Sequence, residues 1–151
     1  MERRYHICFV KPQGYEGSLV FRDVLFLLRN SLQSLGYDCS LAGNHLEPER
    51  VNIIVGYHLL GPGDYLDNVR YIPYQLEQLD RDNPWFNEGA RTVLQKAEAI
   101  WDFSDINIRF LESQGMSAEL VPLGHHKSLE IVPSVADKDI DVLFYGSINE
   151  R

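Results

Sequence analysis

Three polar side chains follow one short apolar stretch in the middle of the chain. Residues 71–75 are aromatic and β-branched, which is typical of a buried strand, although Pro73 interrupts the pattern. Gln75, Glu77 and Gln78 stand at its end, where open α/β sheets bind their ligands. We therefore consider Glu77 a candidate catalytic base, and Gln75 and Gln78 candidate substrate-binding residues. The alternative is a helix N-terminus that carries polar residues.

Two histidines also follow predicted strands. His58 comes directly after an apolar run at 51–57, and His125 follows a shorter run at 118–122. Because imidazole titrates near neutral pH, both are alternative candidates for a catalytic base. A histidine after a strand also serves as a simple capping donor. No metal site is predicted, because neither an H-x-x-x-H pair nor carboxylates at ligand spacing accompany these histidines.

Two further residues are candidates for substrate binding. Gly14 shares a loop with Gly17 after the first predicted strand, where glycine lets the backbone approach a ligand closely. The loop contains neither G-x-G-x-x-G nor G-x-x-x-x-G-K, so a turn that requires glycine explains it as well. Ser104 is predicted to cap a helix that follows the fifth strand.

Composition and charge indicate a globular protein with one domain. Its 151 residues are enough for one core, and 44% are hydrophobic, which argues against extensive disorder. The formal net charge of −8 argues against a nucleic-acid-binding surface. The longest uninterrupted apolar run, 24–28, is far shorter than a membrane span. Cys8 and Cys39 lie in apolar segments and are predicted to be reduced core residues, so we expect a cytoplasmic location.

Short apolar runs alternate with helical patterns along the chain. Strands are predicted over 5–10, 37–41, 51–57, 71–75, 99–103, 118–122 and 140–146. Helices are predicted over 18–35, 89–96 and 105–114. Ser18 and Gly36 are predicted to begin and end the first helix, whose apolar face comprises Phe21, Val24, Leu25, Leu28, Leu32 and Leu35. The alternation predicts an α/β fold with a doubly wound, mainly parallel sheet of about six strands and helices on both faces.

Four motifs in the second half of the chain resemble one enzyme family. They are YQLEQ at 74–78, IWDFSDIN at 100–107, VPLGH at 121–125 and DVLFYGSINER at 141–151. In their order they resemble the N-terminal half of bacterial glycosyltransferases built from two facing Rossmann-like domains, the GT-B architecture. The similarity covers about residues 51–151, whereas the first fifty residues match only in their βαβ layout. It implies a Rossmann-like N-terminal domain over 1–139, then a linker and the first strand of a second domain at 140–151.

The resemblance implies a function in sugar transfer. In such enzymes the N-terminal domain shapes the acceptor side of a cleft, and the C-terminal domain holds most of the nucleotide-sugar donor. Transfer with inversion needs a base for the acceptor hydroxyl, and Glu77 is the first candidate, with His58 and His125 as alternatives. Gln75, Gln78, Gly14 and Ser104 would then contact the acceptor.

The donor side would begin at the end of the chain. The resemblance places Gly146 and Ser147 in a donor-facing turn, and an arginine such as Arg151 suits phosphate geometry. The nucleotide-sugar is a cosubstrate, and no cofactor is expected. Without a C-terminal donor-binding domain, we expect the chain to be inactive and to self-associate as a homodimer through the surface left uncovered.

Two other functions compete with this hypothesis. In the first, the same cleft belongs to a non-catalytic Rossmann-like module that binds a ligand or a partner domain without turnover. In the second, the chain is a flavodoxin-like regulatory domain. That function would require an acidic cluster after the first strand, where the sequence has Lys11, Pro12, Gln13 and Gly14 instead.

Overall fold

A computed structural model of the protein describes residues 3–60, 66–131, 137 and 140–142. It contains one six-stranded sheet in which all neighbouring strands are parallel. The strands are β1 (Tyr5–Phe9), β2 (Cys39–Gly43), β3 (Val51–Val55), β4 (Arg70–Gln75), β5 (Trp101–Asp102) and β6 (Glu119–Leu120). The predicted doubly wound, Rossmann-like α/β fold is confirmed. Most of the strand predicted at 140–146, and Gly146, Ser147 and Arg151, lie outside the described residues.

The strand order places a topological switch point in the sheet. Across the sheet the order is β2-β1-β3-β4-β5-β6. The chain passes from β1 to β2 in one direction, and β3 to β6 follow in the other, so the switch point lies between β1 and β3. This is the flavodoxin-type order of doubly wound sheets, in which ligands bind beyond the carboxyl ends of the strands.

One helix covers one face of the sheet. This helix, α1 (Arg22–Ser34), contributes Leu25 to a core that also contains Ile7, Ile53 and Tyr74. We call this side the α1 face. The prediction that Leu35 belongs to its apolar stripe is wrong, because Leu35 lies beyond the last helical residue and is 73% exposed.

The predicted start of α1 is wrong and its predicted end is confirmed. Ser18 lies within a 3₁₀ turn, Glu16–Phe21, and the α-helix begins only at Arg22. At the other end Gly36 has a φ of +87°, and the Tyr37 amide donates a hydrogen bond to the Leu32 carbonyl. This Schellman geometry requires glycine. It occupies the residues before Cys39, so β2 begins two residues later than predicted.

Two helices cover the opposite face. They are α2 (Glu88–Gln95) and α3 (Asp105–Ser113), which contribute Ala90, Leu94 and Leu111 to the second core. We call this side the α2–α3 face. Helices therefore lie on both faces, as predicted. In α3 the apolar side chain Ile106 is 63% exposed, whereas its polar neighbour Asn107 is only 1% exposed.

A buried polar network fixes the loop at 44–50 to the amino edge of the sheet. His6 is 1% exposed, and its two ring nitrogens lie 2.9 Å from the His45 carbonyl oxygen and 3.0 Å from Glu47 Oε1. Asn52 accepts a hydrogen bond from the Glu47 amide and donates one to the Glu47 carbonyl. The loop consequently has a defined position on the α2–α3 face.

Both cysteines lie in the interior of the fold. Cys8 and Cys39 are free and buried, and they belong to the cores on opposite faces of the sheet. Burial raises the pKa of both thiols, that of Cys39 to about 11. In the part of the chain that the structure describes, no helix has the length and apolar character needed to cross a membrane.

Candidate functional site

Glu77 and His58 lie together at the carboxyl edge of the sheet. His58 belongs to a 3₁₀ turn, Tyr57–Leu59, that directly follows β3, and Glu77 follows β4, the neighbouring strand. The distance between His58 Nε2 and Glu77 Oε1 is 3.8 Å. The structure thus brings the first candidate, Glu77, together with His58, one of its two alternatives, because neighbouring parallel strands end at the same edge.

Burial changes the acid–base properties of both side chains. It raises the pKa of Glu77, because an ionised carboxylate loses hydration there. It lowers the pKa of His58 to about 4, since that side chain is only 5% exposed and packs against Trp85, with 5.1 Å between the ring centres. His58 is therefore neutral at pH 7, and the pair does not form a salt bridge under those conditions.

Two buried polar atoms beside this pair have no hydrogen-bond partner among the described residues. Gln75 and Asp102 face each other across β4 and β5, and they are 1% and 0% exposed. Gln75 Nε2, a donor, and Asp102 Oδ2, an acceptor, are the unpaired atoms. A hydroxyl group both donates and accepts, so it can satisfy both kinds of atom. Leaving them unpaired costs free energy, about 1–3 kcal/mol for each buried group.

Asn107 organises the backbone around these groups. Its amide nitrogen donates hydrogen bonds to the Glu77 carbonyl at 2.8 Å and to Asp102 Oδ1 at 3.1 Å. Its side-chain oxygen accepts a hydrogen bond from the Leu79 amide at 2.9 Å. One side chain in the first turn of α3 therefore holds the loop after β4 against the end of β5.

We call Gln75, Glu77, His58, Asp102 and Asn107 the polar cluster. Asp102 and Asn107 were not among the residues that the sequence singled out as a site. The available signal was a carboxylate within an otherwise apolar strand. Burial raises the pKa of Asp102 to about 6, although hydrogen bonds to its carboxylate act in the opposite direction.

His125 is not brought into the polar cluster. The side chain of its neighbour His126 contacts the Ser34 hydroxyl at 3.0 Å, in the last turn of α1. Since α1 runs antiparallel to the strands that it connects, that turn lies at the amino edge, opposite Glu77. His125 itself is largely exposed, and its Nε2 is 3.4 Å from Glu130 Oε1.

The positions of Gln78 and Gly14 give no structural reason to favour a role in binding. Gln78 is exposed, and its carbonyl accepts a hydrogen bond from the Asn83 side chain. Gly14 has a φ of +76° in a turn, but no atom lies within 4 Å of where a Cβ would be, so the backbone conformation alone requires glycine.

Ser104 occupies the predicted N-cap position of α3 but does not cap it through its side chain. Instead its backbone amide donates to Asp102 Oδ1 at 2.8 Å. It is thus adjacent to the polar cluster through its main chain.

The polar cluster combines a half-buried carboxylate, which can accept a proton, with one unpaired donor and one unpaired acceptor. Within residues 3–60 and 66–131 and the few described beyond them, no group of three or more His, Cys, Asp or Glu side chains could hold a metal ion. Comparisons of the chain with protein-family models, with curated proteins and with solved structures find no match.

Proposed function

We propose that the chain is the acceptor-side domain of a nucleotide-sugar-dependent glycosyltransferase in which Glu77 binds and deprotonates an acceptor hydroxyl. The observation that carries the proposal is the Glu77–His58 pair at the carboxyl edge. Gln75 Oε1 accepts a hydrogen bond from the Glu77 amide, and Asn107 links the Glu77 carbonyl to Asp102. Gln75 and Asp102 each carry one unpaired buried atom. The ordered GT-B-like motifs of the sequence support the same function. The proposal includes a cytoplasmic location.

Glu77 suits the role of the base. A carboxylate whose pKa is raised by burial accepts a proton more readily than an exposed one. Because His58 is neutral at pH 7, it does not stabilise the ionised form of Glu77 as a charged partner would. In the proposed step, Glu77 takes the hydroxyl proton while the hydroxyl oxygen bonds to the anomeric carbon and the nucleotide leaves.

The donor would be held by a C-terminal domain. Gly146, Ser147 and Arg151 remain candidates for donor contacts on the strength of the sequence resemblance alone. For this reason we expect negligible nucleotide release when the 151-residue chain is incubated with nucleotide-sugars by itself.

A second candidate function is a binding module without turnover. The flavodoxin-type strand order favours it, because flavodoxin-like domains bind or regulate through this same edge of the sheet. The residues after β1 are not the acidic cluster that a flavodoxin-like regulatory domain would need. A hydroxyl ligand bound at the polar cluster without any chemical step would still fit this alternative.

Tryptophan fluorescence offers a direct test of ligand binding at the cluster. Trp85 contacts the His58 ring and is 38% exposed. The other tryptophan of the chain, Trp101, packs against Tyr74 on the α1 face. We expect at least one of a panel of methyl hexosides to change the fluorescence of the wild-type chain. Glu77→Gln should weaken that binding about 10- to 100-fold, because hydrogen bonds to charged groups contribute about 1.5–3 kcal/mol.

Two control variants define the outcome. Trp85→Phe should abolish the signal, and Glu112→Gln, which removes an exposed carboxylate on α3, should bind as the wild type does. Equal affinity in Glu77→Gln and the wild type would exclude Glu77 as a ligand of the acceptor hydroxyl. Robust nucleotide release by the isolated chain would contradict the assignment of the donor to a C-terminal domain.

A further inference from the structure

An apolar cavity lies at the topological switch point of the sheet. It has a volume of about 570 Å3, within the usual range of about 300–1,000 Å3 for small-molecule sites. Its apolar lining comes from β1, from β3 and from the segments that follow β2 and β3. These residues are Cys8, Val10, Pro12, Leu46, Pro48, Ile54, Leu59, Leu60, Leu66 and Val69.

The cavity is separate from the polar cluster. Both border the 3₁₀ turn Tyr57–Leu59, but they use different residues of that segment. His58 contacts Glu77 and Trp85, whereas Leu59 and Leu60 line the cavity. A ligand in the cavity would therefore not contact the two atoms left unpaired beside Glu77.

Most of the lining residues are apolar, and the Asn44 side chain and the His45 carbonyl already have partners, so the cavity favours an apolar occupant. Asn44 accepts a hydrogen bond from the Lys11 amide and donates one to the Lys11 carbonyl, both at 2.7 Å. The His45 carbonyl accepts a hydrogen bond from His6. Apolar cavities without free polar groups hold hydrocarbon in preference to water.

The charged side chain in the described lining of the cavity is basic. That lining contains Lys11 but no Asp or Glu, although the whole chain carries a net charge of −8. The nearest acidic partner of Lys11 is Glu16, at 3.8 Å between Nζ and Oε2, and both side chains are exposed. An exposed pair of this kind is weak, so the ammonium group remains able to attract an anionic ligand.

We propose that this cavity is a second binding site, for a small amphipathic molecule with an apolar body and one anionic group. The body occupies the space between β1, β3 and the loop at 44–48, and the anionic group pairs with Lys11. This site does not depend on the proposed sugar-transfer function.

Two fluorescent probes with the same apolar body test both parts of the proposal. They are 1-anilinonaphthalene-8-sulfonate, which is anionic, and N-phenyl-1-naphthylamine, which lacks the sulfonate. Both should bind the folded wild-type chain with one saturable site. Lys11→Met should weaken binding of the sulfonate about two- to five-fold and leave the neutral probe unaffected, since an exposed charge pair is worth about 0.2–1 kcal/mol.

A cavity-filling variant locates the site. Leu46→Phe enlarges a half-buried side chain in the cavity wall and should weaken both probes at least about ten-fold. Leu28→Phe makes the same change at a half-buried position on the α1 face and should bind as the wild type does. Circular dichroism establishes that each variant is folded.

Amide chemical shifts of the wild-type chain provide an independent readout if Leu46→Phe does not fold. The neutral probe should shift Val10, Ile54 and Leu59 and leave the α1-face residue Ile53 unchanged. Unaltered binding in folded Leu46→Phe, shifts confined to the α1 face, or an equal effect of Lys11→Met on both probes would each overturn the proposal.

Discussion

Asp102 and His58 are buried ionisable groups whose pKa values move in opposite directions. Burial raises the pKa of Asp102 to about 6 and lowers that of His58 to about 4. In both cases the folded protein favours the neutral form. The two groups therefore affect the pH dependence of stability with opposite sign over the same range of pH.

For Asp102 the folded-state pKa lies above the unfolded value, so its contribution to stability is present below pH 4 and lost as the pH rises to about 6. For His58 the folded-state pKa lies below the unfolded value of 6.5, so stability is lost as the pH falls from about 6.5 to 4. Each effect amounts to about 3 kcal/mol by proton linkage, and in the wild type they largely cancel.

Single substitutions should reveal the two opposing slopes. In Asp102→Asn the free energy of unfolding should increase more steeply with pH between about 4 and 6.5 than in the wild type, because Asp102 no longer opposes the effect of His58. In His58→Gln it should decrease over the same range, because His58 no longer opposes the effect of Asp102. Urea denaturation at a series of pH values measures both slopes. Parallel profiles for the two variants would show that one of these side chains is not buried as described.

At the scale of elements, Asn107 joins three parts of the fold. It links α3 to the backbone at Glu77 and Leu79 and to the end of β5 at Asp102. Asn107 therefore occupies a buried position of α3 where sequence periodicity would predict an apolar residue. Its amide oxygen and nitrogen both have hydrogen-bond partners. The loop that carries Glu77 depends on this side chain for its position.

Replacing Asn107 by Ala should therefore lower the free energy of unfolding by a large amount for a single substitution. It leaves the Leu79 amide and the Glu77 carbonyl buried without partners, and we expect a loss of about 2–4 kcal/mol in the free energy of unfolding. Hydrogen exchange at the Leu79 amide should accelerate. Gln95→Ala, which removes an exposed amide from α2, should change stability by less than about 0.5 kcal/mol. Similar stability in both variants would argue against the linking role of Asn107.

At the scale of the whole molecule, one sheet separates two cores. Ile7, Ile53 and Tyr74 lie in the core of the α1 face, and Leu94 and Leu111 in that of the α2–α3 face. The strands contribute side chains to both, so neither core can lose its packing without disturbing the sheet that the other uses.

We expect this shared sheet to produce one cooperative unfolding transition. Leu111→Ala truncates a side chain that is 0% exposed and should cost about 2–5 kcal/mol. Leu35→Ala, at a position 73% exposed, should cost less than about 0.5 kcal/mol. Calorimetry should show a single peak in both variants. Two separated peaks in Leu111→Ala would mean that the faces unfold independently.

Self-association is a further proposal at this scale. Among the strands that the structure describes, β6 is a two-residue edge strand. The apolar side chains Leu120, Leu123 and Ile131 along and after it are between 49% and 79% exposed. An open edge with exposed apolar groups favours pairing with a second copy. We propose a symmetric dimer through this edge.

Light scattering measures the mass of the species in solution against the 17.4 kDa of one chain. The wild type should have twice that mass at high concentration. Leu120→Lys should shift it toward the monomer, because a lysine on an edge strand opposes pairing. Leu19→Lys, at a position 50% exposed in the 3₁₀ turn Glu16–Phe21, should remain dimeric. A monomeric wild type would contradict the proposal.

The sequence by itself determined the fold class and predicted which edge of the sheet carries the candidate site. The apolar runs at Val51–Val55 and its neighbours predict strands buried on both faces, and such strands form parallel sheets covered by helices. Gly36 marked the end of α1, because a left-handed residue after a helix favours glycine. Glu77 and His58 could be assigned to the carboxyl edge because each directly follows a strand.

Only the tertiary structure decided which of these residues meet. β3 and β4 are neighbours, so His58 lies beside Glu77, whereas the chain after β6 crosses to the end of α1 and takes His125 with it. The burial of Asp102 and Asn107 also depends on distant elements that pack over them. The local sequence pattern indicates which side chains follow a strand. The neighbours and the pKa values of those side chains depend on the strand order and on the packing of loops, because both involve contacts between residues far apart in the sequence.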